Sequence, residues 1–129
     1  MNTYKGSCLC GSVTYSFTAE INDYGYCHCR MCRKASGSAH SANVSIDNTT
    51  FKTEDPNQYI KEYVSSPGTH RFFCSNCGSP LFSQIEQTPG LVRIRLGSLD
   101  TFMDKKAGRH TFVKDKAPWH DITGGDCSV

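Results

Sequence analysis

Cys27-His28-Cys29-Arg30-Met31-Cys32 decides how this chain is read. Three thiols within six residues are too dense for ordinary core use. A second set brackets them, Cys8-Leu9-Cys10 before and Cys74-Ser75-Asn76-Cys77 after. In a strand, side chains i and i+2 share a face, so Cys8 and Cys10 can offer two sulfurs to one ion. Cys74 and Cys77 have the two-residue spacing of a zinc knuckle, and Gly78 lets the chain turn tightly behind them. The spacing predicts that Cys8, Cys10, Cys74 and Cys77 close a structural zinc site tying the start of the chain to its middle. Such a site contributes on the order of 10 kcal/mol to folding at neutral pH. Lys5 or Arg71 is positioned in sequence to soften its negative charge.

The inner cluster is short of one ligand. Cys27, Cys29 and Cys32 supply three sulfurs where tetrahedral zinc takes four. Candidates for the fourth place are His28, His40, His70, His110, His120, Cys127, water or a substrate. On a strand, His28 points away from its two cysteine neighbours. Three protein ligands plus an exchangeable one is the pattern of catalytic zinc; a histidine in the fourth place would make a second closed structural site. An open site would take an incoming thiol as thiolate, because coordination lowers the thiol pKa. Arg30, Arg33 and Lys34 follow at once, either to receive carboxylates on that thiol or as a solvated face. Two zinc ions per chain are expected. Iron–sulfur ligation fits these spacings less well than two isolated tetrahedral ions.

The surrounding chain supports metal rather than disulfides. It has 129 residues, net charge +2 and eight cysteines. Met1-Asn2-Thr3-Tyr4-Lys5 begins no apolar signal segment, and no apolar run reaches the roughly 20 residues of a bilayer span. A cytoplasmic location is therefore expected, where thiols stay reduced. The charge is well short of that of a dedicated nucleic-acid binder. Length and the absence of linkers or repeats predict one zinc-binding domain over residues 1–129.

The remaining sequence reads as short strands. Val13, Tyr15 and Phe17 alternate onto one face over residues 12–18, with Thr3 to Cys8 as partner and Cys10-Gly11 at the turn. Further strands are predicted over Tyr24 to Cys27, His40 to Ile46, Tyr59 to Val64, Thr69 to Cys74, Leu81 to Ile85 and Leu91 to Leu96. Residues 30–36 lack Gly and Pro and read as a short helix ended by Gly37. Residues 100–110 read as a loop with a short helical turn, and Thr123-Gly124-Gly125-Asp126 as a loose end carrying a spare thiol at Cys127. His110 and His120 read as surface or partly buried polar residues. The pattern favours a small antiparallel sandwich or tent stapled by metal.

Three blocks together carry a family resemblance: Gly6-Ser7-Cys8-Leu9-Cys10-Gly11, Cys27-His28-Cys29-Arg30-Met31-Cys32, and Arg71-Phe72-Phe73-Cys74-Ser75-Asn76-Cys77-Gly78-Ser79-Pro80-Leu81. They resemble the glutathione-dependent formaldehyde-activating enzyme family, which also includes centromere protein V. Gly97-Ser98-Leu99-Asp100, His110 and Ala117-Pro118-Trp119 resemble its later blocks, so the likeness runs from about residue 4 to 122. The resemblance implies an all-β, tent-like fold with two zincs. It places the structural ion on Cys8, Cys10, Cys74 and Cys77, and the catalytic ion on Cys27, Cys29 and Cys32. It also implies a carbon–sulfur lyase-type reaction joining glutathione, a small-molecule thiol, to the aldehyde formaldehyde as S-hydroxymethylglutathione. Two other readings stand beside it: a non-catalytic zinc-stapled module binding protein or nucleic acid, and a redox or metal-buffering protein.

Overall fold

The computed structural model describes residues 1–105 and 108–123, and the backbone of Asp126–Cys127. The strands are β1 (Asn2–Ser7), β2 (Thr14–Ala19), β3 (Gly25–Cys27), β4 (Ser41–Asp47), β5 (Lys52–Glu54), β6 (Ile60–Ser66), β7 (Thr69–Cys74), β8 (Pro80–Ile85), β9 (Leu91–Arg95), β10 (Arg109–Thr111) and β11 (Asp126–Cys127), with one helix, α1 (Arg30–Ser36), among the described residues. They form a three-stranded sheet in the order β1-β2-β5 and an eight-stranded sheet in the order β11-β10-β3-β4-β9-β8-β7-β6. The all-β architecture expected from the strand spacing is therefore observed.

The core lies between the sheets. Tyr4, Val13, Tyr15 and Phe17 from the β1–β2 arm are buried together with Val44, Ile46, Leu81, Phe82, Val92 and Ile94. Phe17 stacks on Tyr4 with ring centroids 5.3 Å apart, and Phe51 bridges Tyr15 to Phe82 at 5.8 and 4.9 Å. Burying one such side chain contributes about 1.5–3 kcal/mol. Alternation fixes the other face of the large sheet. Cross-strand partners share a face, so the pairs Cys27↔Ser41, Asn43↔Arg95, Ser45↔Arg93, Ser83↔Arg93, Arg71↔Ser83 and Tyr63↔Arg71 form one polar row. The inner cysteine cluster opens onto this row.

The short helix matches the sequence reading. Cys29 caps its N-terminus by accepting from the Cys32 N–H at 3.3 Å, and Gly37 ends it at φ 65°. Elsewhere the structure departs from expectation. Strand β10 occupies the end of the segment read as a loop, and it runs parallel to both β3 and β11. Three residues are too few for alternation to announce a strand; what makes it one is the unpaired edge of β3. The Arg109 N–H donates to the Tyr24 carbonyl at 2.9 Å and the His28 N–H to the Thr111 carbonyl at 3.0 Å. Lys52-Thr53-Glu54 is exposed along its length, so no apolar pattern marks β5. Of the end read as loose, Gly124 and Gly125 lie outside the described residues, as does the Cys127 side chain.

Gly6 is required by close approach. A Cβ placed there would lie 2.1 Å from the Tyr15 ring, whose hydroxyl is held 2.6 Å from Ser98 Oγ. Gly6→Ala is expected to cost about 1–3 kcal/mol through overpacking and to lower the thermal midpoint by about 4 °C or more. An unchanged midpoint would mean the ring moves freely, against its burial at 3% exposure.

Candidate metal centres

Two turns bring the outer cysteines together. After β1 the chain doubles back through Gly11 at φ 79°, with the Cys8 N–H donating to the Val13 carbonyl and the Val13 N–H to Cys8 Sγ at 3.3 Å. After β7 the knuckle closes through Gly78 at φ 81°, whose N–H donates to the Cys74 carbonyl at 2.7 Å. The Leu9 N–H donates to Ser79 Oγ at 2.9 Å and joins the two turns. As a result the four sulfurs of Cys8, Cys10, Cys74 and Cys77 lie within 4.8 Å of one another. A tetrahedral ion with bonds of about 2.3 Å to sulfur sets sulfurs about 3.8 Å apart. The Cys8–Cys10 and Cys10–Cys74 separations are 3.5 and 3.9 Å. The donor set fits a soft tetrahedral cation.

Cys27, Cys29 and Cys32 form a second group within the same limit. Among the described residues no histidine nitrogen lies within that limit of all three sulfurs. The histidines are elsewhere. His28 is fully buried behind the cysteines, and its Nε2 lies 2.8 Å from His110 Nδ1. His40 and His120 pack around them, with centroids 5.0 and 6.2 Å from His28. Burial, helped by His40, His110, His120 and Lys116, pushes His28 down to about 4, so the ring is neutral at pH 7. His110, read from sequence as a polar surface or partly buried residue, is buried at 4% exposure, its ring tilted against Tyr26 at 4.7 Å. His70 lies apart, against Glu62 and Glu86.

Arginine placement also differs from the sequence expectation. Arg71 does not soften the outer group; its Nη2 lies 3.8 Å from Cys32 Sγ in the inner one, and its Nε donates to Ser65 Oγ at 2.8 Å. Arg33 donates to the Asp115 carbonyl at 2.8 Å. Arg95, on the face of β9 opposite Val92 and Ile94, is 7% exposed, and its Nη1 is buried without a partner. Its cross-strand neighbour Asn43 gives its amide nitrogen to Ser41 Oγ and leaves Oδ1 unpartnered. Two clefts lie near the polar row, one reaching Cys27 and the other reaching Arg71, the neighbour of Cys32. One of about 520 Å³ is lined by Cys27, Asn43, Arg93 and Arg109. The other, of about 240 Å³, is lined by Tyr63, Arg71, Phe73 and Arg95.

The thiols share protons unevenly. Cys32 is held down to about 4, chiefly by a hydrogen bond from Cys27, with Ser41, Cys29 and Arg71 adding to it against the effect of burial. Cys27 is pushed up by that same contact and by burial. In the outer group Ser79 holds Cys77 down to about 5, while burial raises Cys74 to about 11.

The family model described as glutathione-dependent formaldehyde-activating enzyme matches residues 3–115. A Halomonas elongata protein, whose name assigns it provisionally to glutathione-dependent formaldehyde activation, is 31% identical over 92% of this chain and 80% of its own length. A Schizosaccharomyces pombe protein named as an uncharacterised lyase is 32% identical over 64% of this chain, which spans 58% of that relative. The crystal structure of a Rhodobacter sphaeroides protein superposes with a TM-score of 0.64 at 18% identity, covering 78% of this chain and 91% of the other, and shares the fold.

The thiolate is the nucleophile in alkylation. In metal-free protein shown by circular dichroism to keep its fold, Cys32 and Cys77 are expected to react with iodoacetamide at pH 6 before Cys27 and Cys74, read by peptide mass mapping. Equal labelling of all four would contradict this division of protons. Metal loading is expected to protect both groups.

Proposed function

Because the chain belongs to the glutathione-dependent formaldehyde-activating enzyme family, we propose that it is a zinc-dependent carbon–sulfur lyase-type enzyme acting on a glutathione adduct. In the synthetic direction it joins glutathione and formaldehyde to S-hydroxymethylglutathione. The observation that carries the reading is the inequality of the two cysteine groups: four sulfurs gathered in one, three in the other with no histidine beside them among the described residues. We assign Cys8, Cys10, Cys74 and Cys77 to a structural zinc, and Cys27, Cys29 and Cys32 to a catalytic one. The chain acts as a single zinc-binding domain, and its free thiols suit a cytoplasmic setting. No helix among the described residues is long and apolar enough to cross a membrane.

Zinc bound at the inner cysteines supplies charge that favours the thiolate of an incoming thiol. The chain's own residues do the rest. Cys29 and Cys32 are set by the helix cap that links them, and Cys27 by its pairing with Ser41 across the sheet. Arg71 places a guanidinium beside Cys32 and offsets accumulated negative charge. The thiol loses its proton, its sulfur bonds to the aldehyde carbon, and the carbonyl oxygen takes a proton from water. Held in the clefts beside Cys27 and Arg71, the two reactants meet at high effective concentration. In reverse, the hydroxyl proton leaves, the carbon–sulfur bond breaks and formaldehyde departs.

The test is exchange spectroscopy of glutathione and formaldehyde by NMR, with the uncatalysed rate subtracted. Wild type is expected to accelerate adduct formation. Cys29→Ser is expected to lose most of that acceleration and one of two metal equivalents while keeping most of its thermal stability. Cys74→Ser is expected to unfold or melt far lower, since a structural site contributes on the order of 10 kcal/mol. Equal losses of melting temperature in both variants would contradict the division of roles, and no acceleration by metal-loaded wild type would overturn the reaction.

A further inference from the structure

Arg95 is an arginine without a counterpart. It is buried to 7% exposure, its Nη1 meets no partner, and it forms no ion pair among the described residues. A guanidinium does not escape such a position by losing its proton, and an uncompensated buried charge is costly. Arg71 makes matters worse: it is the nearest charge by effect and it repels Arg95, ahead of the attraction from Cys32 and Cys27. Two cations thus face one small pocket of about 240 Å³, walled by Tyr63 and Phe73 and linked to the inner thiols through Arg71. Arg71 is held there by Ser65 and faces Cys32 Sγ at 3.8 Å. Chains keep such pairs where an anion is to be received, because the guanidinium fork matches a carboxylate with two parallel hydrogen bonds.

We propose that Arg95, with Arg71, forms a carboxylate subsite that grips the glycyl end of glutathione while its thiol reaches the inner cysteines. The inference rests on the glutathione reading above. Glutathione has two carboxylates, and the site's charge selects between them. The γ-glutamyl carboxylate carries an adjacent ammonium, which two guanidinium groups would repel. The glycyl carboxylate stands alone at the end of a short uncharged arm, closer to the thiol along the chain of bonds. Phe73 and Tyr63 offer apolar wall to that arm and exclude water from the ion pair, which strengthens it. Arg95 is then a specificity residue: it touches substrate, away from the reacting atoms.

The test compares glutathione with its glycyl monoethyl ester in wild type, Arg95→Met and Arg95→Lys, with zinc content and thermal midpoint recorded for each. In wild type the ester is expected to raise KM about 10- to 100-fold, the loss of one charge-assisted bidentate contact. Arg95→Met is expected to raise KM for glutathione by a similar factor and to abolish the discrimination against the ester, with zinc content unchanged. Arg95→Lys keeps the charge without the fork and is expected to fall between; it also carries the test if the methionine variant fails to fold. Discrimination that survives in both variants, or loss of zinc with no change in the ester ratio, would overturn the proposal and make Arg95 a counter-charge to the thiolates. Calorimetry with S-methylglutathione and its ester separates the two readings. Binding that distinguishes acid from ester, in a wild type that accelerates no reaction, would keep the subsite and reject the reaction.

Discussion

The fold depends on four sulfurs meeting in one place. Cys8 and Cys10 follow β1, Cys74 ends β7 and Cys77 follows it, and these strands belong to different sheets. Nothing in a β-sheet ladder ties one sheet to another; that falls to side chains packed between them and, here, to the sulfur cage at their end. The two turns carry glycines with positive φ at Gly11 and Gly78, a conformation that other residues adopt only with strain. The Leu9 to Ser79 hydrogen bond holds the turns in register. The β1–β2 arm brings Tyr4, Tyr15 and Phe17 to the core, so its anchorage at Cys8 and Cys10 also secures most of the aromatic packing. A domain of this size buries a modest fraction of its surface, so a metal held by the four sulfurs would matter to its stability.

The inner cluster obeys a different rule, the alternation of a strand entering a helix. Cys27 lies in β3, Cys29 caps α1, and Cys32 sits one turn along it. His28, between the first two, points through the sheet to the opposite side and meets His110 there. The sheet thus separates two chemistries by one residue. Thiols and guanidinium groups line one face, and imidazoles fill the other beside Tyr26. Burial and crowding keep His28 neutral at pH 7, so it packs behind the thiols without adding positive charge there.

Much of this was legible in the sequence. Val13, Tyr15 and Phe17 announced β2 because their period of two is unbroken, and Gly37 announced the end of α1 because few other residues adopt the left-handed cap. The cysteine spacings announced both sulfur groups. Other features were not legible, for physical reasons. Strand β10 exists through pairing with distant β3, which leaves no local pattern. The burial of Arg95 was not legible because alternation assigns it to a face but says nothing of what packs there; Ala35, Tyr63 and Phe73, from distant parts of the chain, line a cleft with it. The placement of Arg71 beside Cys32 rather than beside the knuckle that follows it in sequence depends on the strand register Arg71↔Ser83 and so on the tertiary fold. The histidine cluster gathers residues from four separate segments, and single-residue types scattered in this way carry no sequence signal.

Charge explains why the inner site needs its arginines. With a divalent cation held there, three thiolates would leave one negative charge on the centre, and glutathione bound as thiolate would add two more, from its sulfur and the nearer carboxylate. Three negative charges gathered in a half-buried pocket would repel one another strongly, and the incoming thiol would keep its proton. Arg71 and Arg95 cancel two of the three. Before substrate arrives the balance is reversed: the guanidinium groups outnumber the single negative charge, so the empty pocket is attractive to an anion. The same two side chains therefore draw the substrate in and make its ionised form tolerable once bound. A lysine pair would carry the charge but not the planar fork, and would lose its protons more readily on burial. The site asks for arginine at both positions, and this chain supplies it.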